Sequence, residues 1–285
     1  MGGPGALYAP ARARYHCRHL GDGRPAEFLA SLAEEMNIHP ADWPRVMAKL
    51  RHAAAGGDVA SITRLALNLA DGIQDVQGRS LVRRNPRYAF QLLRRAAGLG
   101  DVTAAGALGF AYDVGQGTRA DEVLALKWYR WAAQRGNSAS ASNIGTVYRD
   151  KGDLKRAHRW ALRALELGDG DAAVTAGYNW LYGIGVRADV QAARRMFRHA
   201  LRQAVTTAYG REEALYNLAI MFVDSGKPRQ AIPLLKQAAE DGDYPEAESL
   251  LSQIEARGPL RPCRCRRHIK KNLLGHAPCS QHARR

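Results

Sequence analysis

The sequence lacks most of the features that usually announce a function. No stretch approaches 18 consecutive apolar residues, which excludes a membrane-spanning helix of ordinary length. The opening segment, MGGPGALYAPARARYHCRHL, has no apolar run long enough for a signal-peptide core. Four cysteines in 285 residues are too few for a disulfide scaffold, so a reduced, cytoplasmic protein is expected. There is no glycine-rich phosphate loop, no nucleophile elbow and no HExxH string. His158 and His199 fall on helical repeat positions, where surface or packing roles are the ordinary ones. No catalytic residue is therefore assigned, and the chain reads as a non-enzyme. Acidic residues are also scarce, 27 against 42 Lys and Arg, which leaves a net charge of +15. Only eight of the basic residues are lysine. Such basicity suits anionic partners, but arginine- and alanine-rich coding would produce it too.

What is present is a repeat. Six positions start similar segments: Asp42, Asn85, Asp121, Asp153, Asp189 and Lys227. They are spaced by 43, 36, 32, 36 and 38 residues. Eleven residues after each lies an alanine: Ala53, Ala96, Ala132, Ala164, Ala200 and Ala238. Four residues after the last five starts lies another: Ala89, Ala125, Ala157, Ala193 and Ala231, with Val46 in the first segment. Fifteen residues on come Gly57, Gly100, Gly136, Gly168 and Gly242, with Ala204 in the fifth segment. Asp or Asn at the start suits a helix N-cap, and Asn85-Pro86 adds proline at the first helical position. The two alanines are seven apart, share one helix face and allow close approach of another helix. Large residues complete the stripe: Leu92 and Leu93, Trp128 and Tyr129, Met196 and Phe197, Leu234 and Leu235. Glycine then suits a left-handed helix end.

A second helix follows each glycine and ends in an aromatic before a turn, at Tyr112, Tyr148, Tyr182 and Phe222. Each segment is therefore a helical hairpin. A single hairpin cannot bury its apolar face, so neighbours must stack. The expected fold is all-α, an α/α superhelical solenoid of about six hairpins over residues 27–256. Residues 1–26 read as a flexible N-terminus, and AEFLASLAEEMNI as a helix covering the first repeat.

The strings YDVGQGTRADEVLALKWYRWAAQRGN and YGIGVRADVQAARRMFRHA resemble Sel1-like repeats, relatives of tetratricopeptide repeats with a longer glycine-rich turn. YRDKGDLKRAHRWALRALELGD and FVDSGKPRQAIPLLKQAAEDGD have shorter turns and look closer to plain tetratricopeptide units. The likeness is good over residues 85–256 and weak over 42–71, with an irregular connection from 72 to 84. It implies a right-handed superhelix whose concave side is lined by the second helices. It also implies a scaffold that binds a protein or peptide. Phe110, Thr146, Trp180 and Ile220, two residues before each aromatic end, are then candidates for the groove. Asp113, Ser142, Arg149, Tyr216 and Asn217 would lie near it. Ordinary inter-helix packing is the competing reading for Phe110 and Trp180. On the opposite helices a basic row, Arg94, Lys127, Arg130, Arg159, Arg195, Arg198 and Lys236, opposes the alanine stripe and should be solvated.

The repeats stop near Ala256, and RGPLRP marks a linker. Residues 257–285 hold nine Lys or Arg and no acid, so they carry +9 of the +15. They also hold Cys263, Cys265, Cys279 and His282, with His268 and His276 as alternatives. That set could supply four tetrahedral ligands to one structural zinc. A plain basic tail, or a disulfide, are the other readings. His16, Cys17 and His19 could add one ligand. A basic zinc module could also touch nucleic acid, which is the alternative function. No membrane partner is expected.

Overall fold

The computed structural model describes residues 39–75, 77–203, 206–240 and 244–257. The N-terminal helix expected over AEFLASLAEEMNI and the whole Cys/His tail lie outside these residues. Among the described residues twelve α-helices follow one another: α1 Trp43–Ala55, α2 Val59–Asp71, α3 Pro86–Gly98, α4 Val102–Val114, α5 Glu122–Ala133, α6 Ser138–Asp150, α7 Leu154–Glu166, α8 Gly170–Tyr182, α9 Val190–Arg202, α10 Ala208–Asp224, α11 Pro228–Ala238 and α12 Pro245–Arg257. Counted in chain order they are six first-and-second helix pairs. The chain divides into two compact units, up to Asp169 and from Gly170 onward. The all-α repeat expectation is met.

The local causes are those the repeat implies. Asn85, Asp121, Asp153 and Asp189 each accept a backbone N–H of the first turn, at 2.8–3.2 Å. Asp42 and Lys227 make no side-chain cap. The second helices have their own caps, which the register did not single out: Asp58, Asp101, Asn137 and Thr207. Gly57, Gly100, Gly136 and Gly168 turn the chain with φ of 91°, 93°, 95° and 94°, values that strain any other residue. Ala96, Ala132, Ala164 and Ala200 are completely buried, as are Ala125, Ala193 and Ala231. The first helix departs from the pattern. Its buried residues are Trp43, Met47 and Ala54, one position further along, and Ala53 is half-buried.

In the first unit each helix packs on its chain neighbours, α1 on α2 through α6 on α7. Among the described residues the second helices also touch one another, α2 with α4 and α4 with α6. A stack whose second helices approach in this way curves towards them, so they form its inner layer. Its core runs through Ile62, Leu65, Leu93 and Leu108, and Tyr129 and Ile144 are fully buried beyond them. In the second unit α8 to α12 pack in sequence, and α8 again touches α10. Its C-terminal half is held by Leu215, Ala219, Leu235, Tyr244 and Ile254.

The irregular connection at 72–84 is a small antiparallel ribbon, β1 Ile73–Gln74 with β2 Ser80–Val82. Asp75 closes it, accepting from the Arg79 side chain at 2.6 Å and from the backbone N–H of Gln77 and Arg79. These bonds hold the Asp75 carboxyl below its ordinary range although burial acts the other way. The strands are too short for a two-residue alternation to be legible.

Candidate functional site

The proposed groove residues fall into two groups, one in each unit. In the first, Phe110 is 8% exposed and belongs to the core, because α4 is flanked by helices on several sides. Asp113, one turn on, is half-buried and accepts a hydrogen bond from the Tyr129 hydroxyl at 3.3 Å. Burial raises its pKa, and the Asp150 and Glu122 charges add to that. Thr146 is turned back on its own helix, its hydroxyl donating to the Ser142 carbonyl at 3.3 Å. The Ser142 hydroxyl donates to Asp169. Arg149, half-buried, stands 4.0 Å from Asp150. Tyr148 is engaged by arginine on two sides: Arg130 donates to its hydroxyl at 2.8 Å, and Arg156 lies 5.3 Å over its ring. The basic row itself is exposed throughout, as expected of a solvated face.

The second unit gathers its site residues more closely. Tyr178 and Tyr182 are one turn apart on α8, with stacked rings 5.9 Å between centroids. Tyr178 also meets Phe197 edge-on at 5.8 Å. Its hydroxyl donates to Glu213 Oε1 at 2.7 Å and accepts from Asn217 Nδ2 at 2.9 Å. Asn217, 2% exposed, also donates to the Glu213 carbonyl at 2.7 Å. Tyr216 packs at 5.3 Å on Tyr244, the residue just before α12, and Tyr209 joins at 5.9 Å. Trp180 and Ile220 are half-buried. Tyr216 and Asn217 were legible as site residues; Tyr178, Glu213, Asp224 and Tyr244 were not. The i, i+4 spacing from Tyr182 was the available signal for Tyr178.

The cluster is electrostatically negative. Burial, then the Glu213 charge, pushes the Tyr178 phenol far above its usual range. Tyr182 is pushed up to about 12 by burial, with Tyr216, Asp224 and Glu213 contributing. Asp224, at the last position of α10, is raised to about 6 by burial. A carboxylate is also disfavoured at a helix C-terminus, where the backbone dipole is negative. The folded chain therefore holds a proton on Asp224 at pH values where the unfolded chain has lost it. Its unfavourable contribution develops as pH rises from about 4 to about 6 and is complete above that. Asp224→Asn should stabilise the second unit at pH 7.5 by on the order of 1 kcal/mol, a figure discounted for solvent screening. Denaturant midpoints at pH 7.5 and pH 4 check this. A gain at neutral pH that vanishes at pH 4 is expected, and an equal gain at both would contradict the assignment.

Sel1 repeats match residues 63–101, 102–137 and 172–204. Tetratricopeptide repeats match 138–168 and 214–243. This is a Sel1-like repeat protein. From residue 102 onward Sel1 and tetratricopeptide units alternate as the turn lengths imply, and the segment from 63 to 101, with its ribbon, is a further Sel1 unit before them. The Sel1-like chain is 31% identical over 121 residues to the chitin synthase regulator SKT5 of Saccharomyces cerevisiae. That alignment covers 40% of this chain and only 17% of the yeast protein. Among solved structures, c5321, a protective antigen of uropathogenic Escherichia coli with an SLR fold, superposes with a TM-score of 0.62 at 19% identity. It covers 90% of this chain and 53% of that one. A Sel1 repeat protein from Oxalobacter formigenes gives 0.61 at 23% identity, over 86% of this chain and 94% of that one. Identities this low establish the shared fold alone.

No described helix is long and apolar enough to cross a membrane. Among the described residues no group of three or more His, Cys, Asp and Glu could hold a metal ion. The six zinc-ligand candidates of the tail lie outside those residues. His158 is buried and its pKa is lowered by that burial. His199 stands 2.8 Å from the Gln203 side chain.

Proposed function

We propose that this Sel1-like protein is a non-catalytic adaptor that binds a peptide or protein segment along its inner helices. The observation that carries this reading is the contrast between the two layers of the repeats. The second helices bring half-exposed aromatic rings together with fixed polar groups, as in Tyr178, Tyr182, Tyr216 and Asn217. Aromatic anchors beside oriented hydrogen-bonding groups are what peptide recognition uses. The first helices present the exposed basic row instead, and their aromatics, Tyr88 and the Trp128–Trp131 pair, are not joined to a buried amide and a carboxylate as Tyr178 is. The Sel1 and tetratricopeptide repeats support an interaction role, and one relative is by name the regulator of an enzyme.

The test is selection of a random-peptide display library on the full chain. A family of peptides should emerge that binds in the micromolar range. Its affinity should fall at least about tenfold in Tyr182→Ala and Tyr216→Ala and stay unchanged in Arg159→Ala and Arg195→Ala. No enrichment, or binding lost only with the outer-helix substitutions, would overturn the reading.

A further inference from the structure

We propose that the Tyr182 end of α8 and the Asp224 end of α10 form a receptor for an arginine or lysine side chain of the bound partner. This rests on the peptide-binding reading and names the chemistry of its anchor. The first argument compares the aromatic ends of the second helices. Tyr148 has Arg156 over its ring at 5.3 Å, and Phe222 has Arg194 at 5.8 Å. Tyr112 is covered by Phe90, edge-on at 5.3 Å. Tyr182 is the most exposed of the four at 42%. Among the described residues no cation of the chain lies over it. The carbonyls of Tyr112, Tyr148 and Phe222 accept the backbone N–H that starts the next helix, and on α8 that place belongs to Trp180. Tyr182, two residues further on, is an additional ring, stacked on Tyr178 on one side and otherwise exposed.

The second argument is charge. The chain as a whole is strongly basic, yet the groups whose charges act on Tyr182 are Tyr216, Asp224 and Glu213, all of them acids. Glu213 is engaged by the Tyr178 hydroxyl. Asp224 is half-buried, and among the described residues its carboxylate has no hydrogen-bond or ion-pair partner. A cation placed there gains from the aromatic face, from the carboxylates and from the negative end of the α10 dipole. It also removes the cost of an unpaired, half-buried carboxylate. Arginine suits the place best, because its flat guanidinium stacks on a ring and pairs with a carboxylate at once. An anionic ligand would meet only repulsion.

The probe is a pair of fluorescein-labelled nonapeptide pools with randomised neutral flanks. One has arginine at the centre and the other has citrulline, its uncharged isostere. Fluorescence polarisation on the full chain should show the arginine pool binding at least about fivefold more tightly. Asp224→Asn and Tyr182→Leu, each checked for native helicity, should reduce that preference below about twofold. Equal binding of the two pools, or a preference that survives both substitutions, overturns the proposal. So does a preference seen only when the Lys and Arg of residues 257–285 are replaced by Gln, because the occupant would then be the chain's own basic tail. Display-selected peptides that need Tyr216 yet show no cation preference would sink this proposal alone. Absence of any selected peptide would sink the adaptor reading with it.

Discussion

Gly177→Ala should destabilise the second unit by about 2–3 kcal/mol, and Gly109→Ala the first by a similar amount. Each glycine sits eight residues past the cap position of a second helix, Asp169 or Asp101. Each faces an aromatic eight residues past the cap of the next first helix, Phe197 or Tyr129, and both rings are fully buried. A Cβ on Gly177 would lie 2.6 Å from a Phe197 ring carbon, and one on Gly109 would lie 2.6 Å from Tyr129. Neither ring can swing away, since Phe197 supports Tyr178 and the Tyr129 hydroxyl is bonded to Asp113. Gly145 occupies the same register, but its counterpart is Ala161, and an added Cβ would find nothing closer than 3.5 Å. Gly145→Ala should therefore be neutral or stabilise by about 0.5–1 kcal/mol, the ordinary gain from replacing glycine inside a helix. Thermal scans of the three variants check the contrast. Losses of about 5–10 °C at positions 109 and 177, with none at 145, are expected. A uniform response would mean the rings do not seat on the glycines. Gly177→Ala should also weaken peptide binding, because it displaces the ring on which Tyr178 rests.

Gly117→Ala should be the most damaging single-methyl change in the first unit, costing at least about 3 kcal/mol. Gly117 lies in the long turn between α4 and α5 with φ of 75°. Its Cβ would sit 2.0 Å from the Pro86 carbonyl oxygen and 3.0 Å from the Arg87 nitrogen. These are backbone atoms at the start of α3, so relief requires moving a helix. The neighbouring Gln116 shows what the turn does. Its side chain donates to the Ala70 carbonyl at 3.2 Å and to Asp71 at 3.0 Å, closing the C-terminal end of α2. The longer Sel1 turn is thus a strap tying a hairpin back onto two earlier helices. Gly136→Ala is the control. It has φ of 95° but nothing within 4 Å of an added Cβ, so only the backbone strain of about 1–2 kcal/mol remains. Urea unfolding of the two variants separates strain from collision. Equal losses would show that the strap does not touch α3.

Much of this was legible beforehand, for definite reasons. A repeat multiplies weak signals. One Asp, one Ala and one Gly mean little, but five alanines at one register and four glycines with φ within a few degrees of each other reflect one backbone path used repeatedly. The same regularity misleads where the register shifts. Phe110 and Trp180 both stand two residues before an aromatic, yet counted from Asp101 and Asp169 they are nine and eleven residues on, so they occupy different helix positions, and Phe110 is buried while Trp180 is half-buried. The Tyr178–Glu213–Asn217 group escaped notice because its members are 35 and 39 residues apart and meet only where α8 touches α10. The ribbon at 73–82 escaped because two- and three-residue strands leave no periodic trace.

The measurement that bears most directly on the adaptor reading is hydrogen–deuterium exchange of the full chain with and without the display-selected peptide. Added protection along α8 and α10, centred on residues 178–182 and 213–224, is what the inner-helix site predicts. Protection confined to the outer helices α9 and α11, or to the basic segment after Arg257, would contradict it.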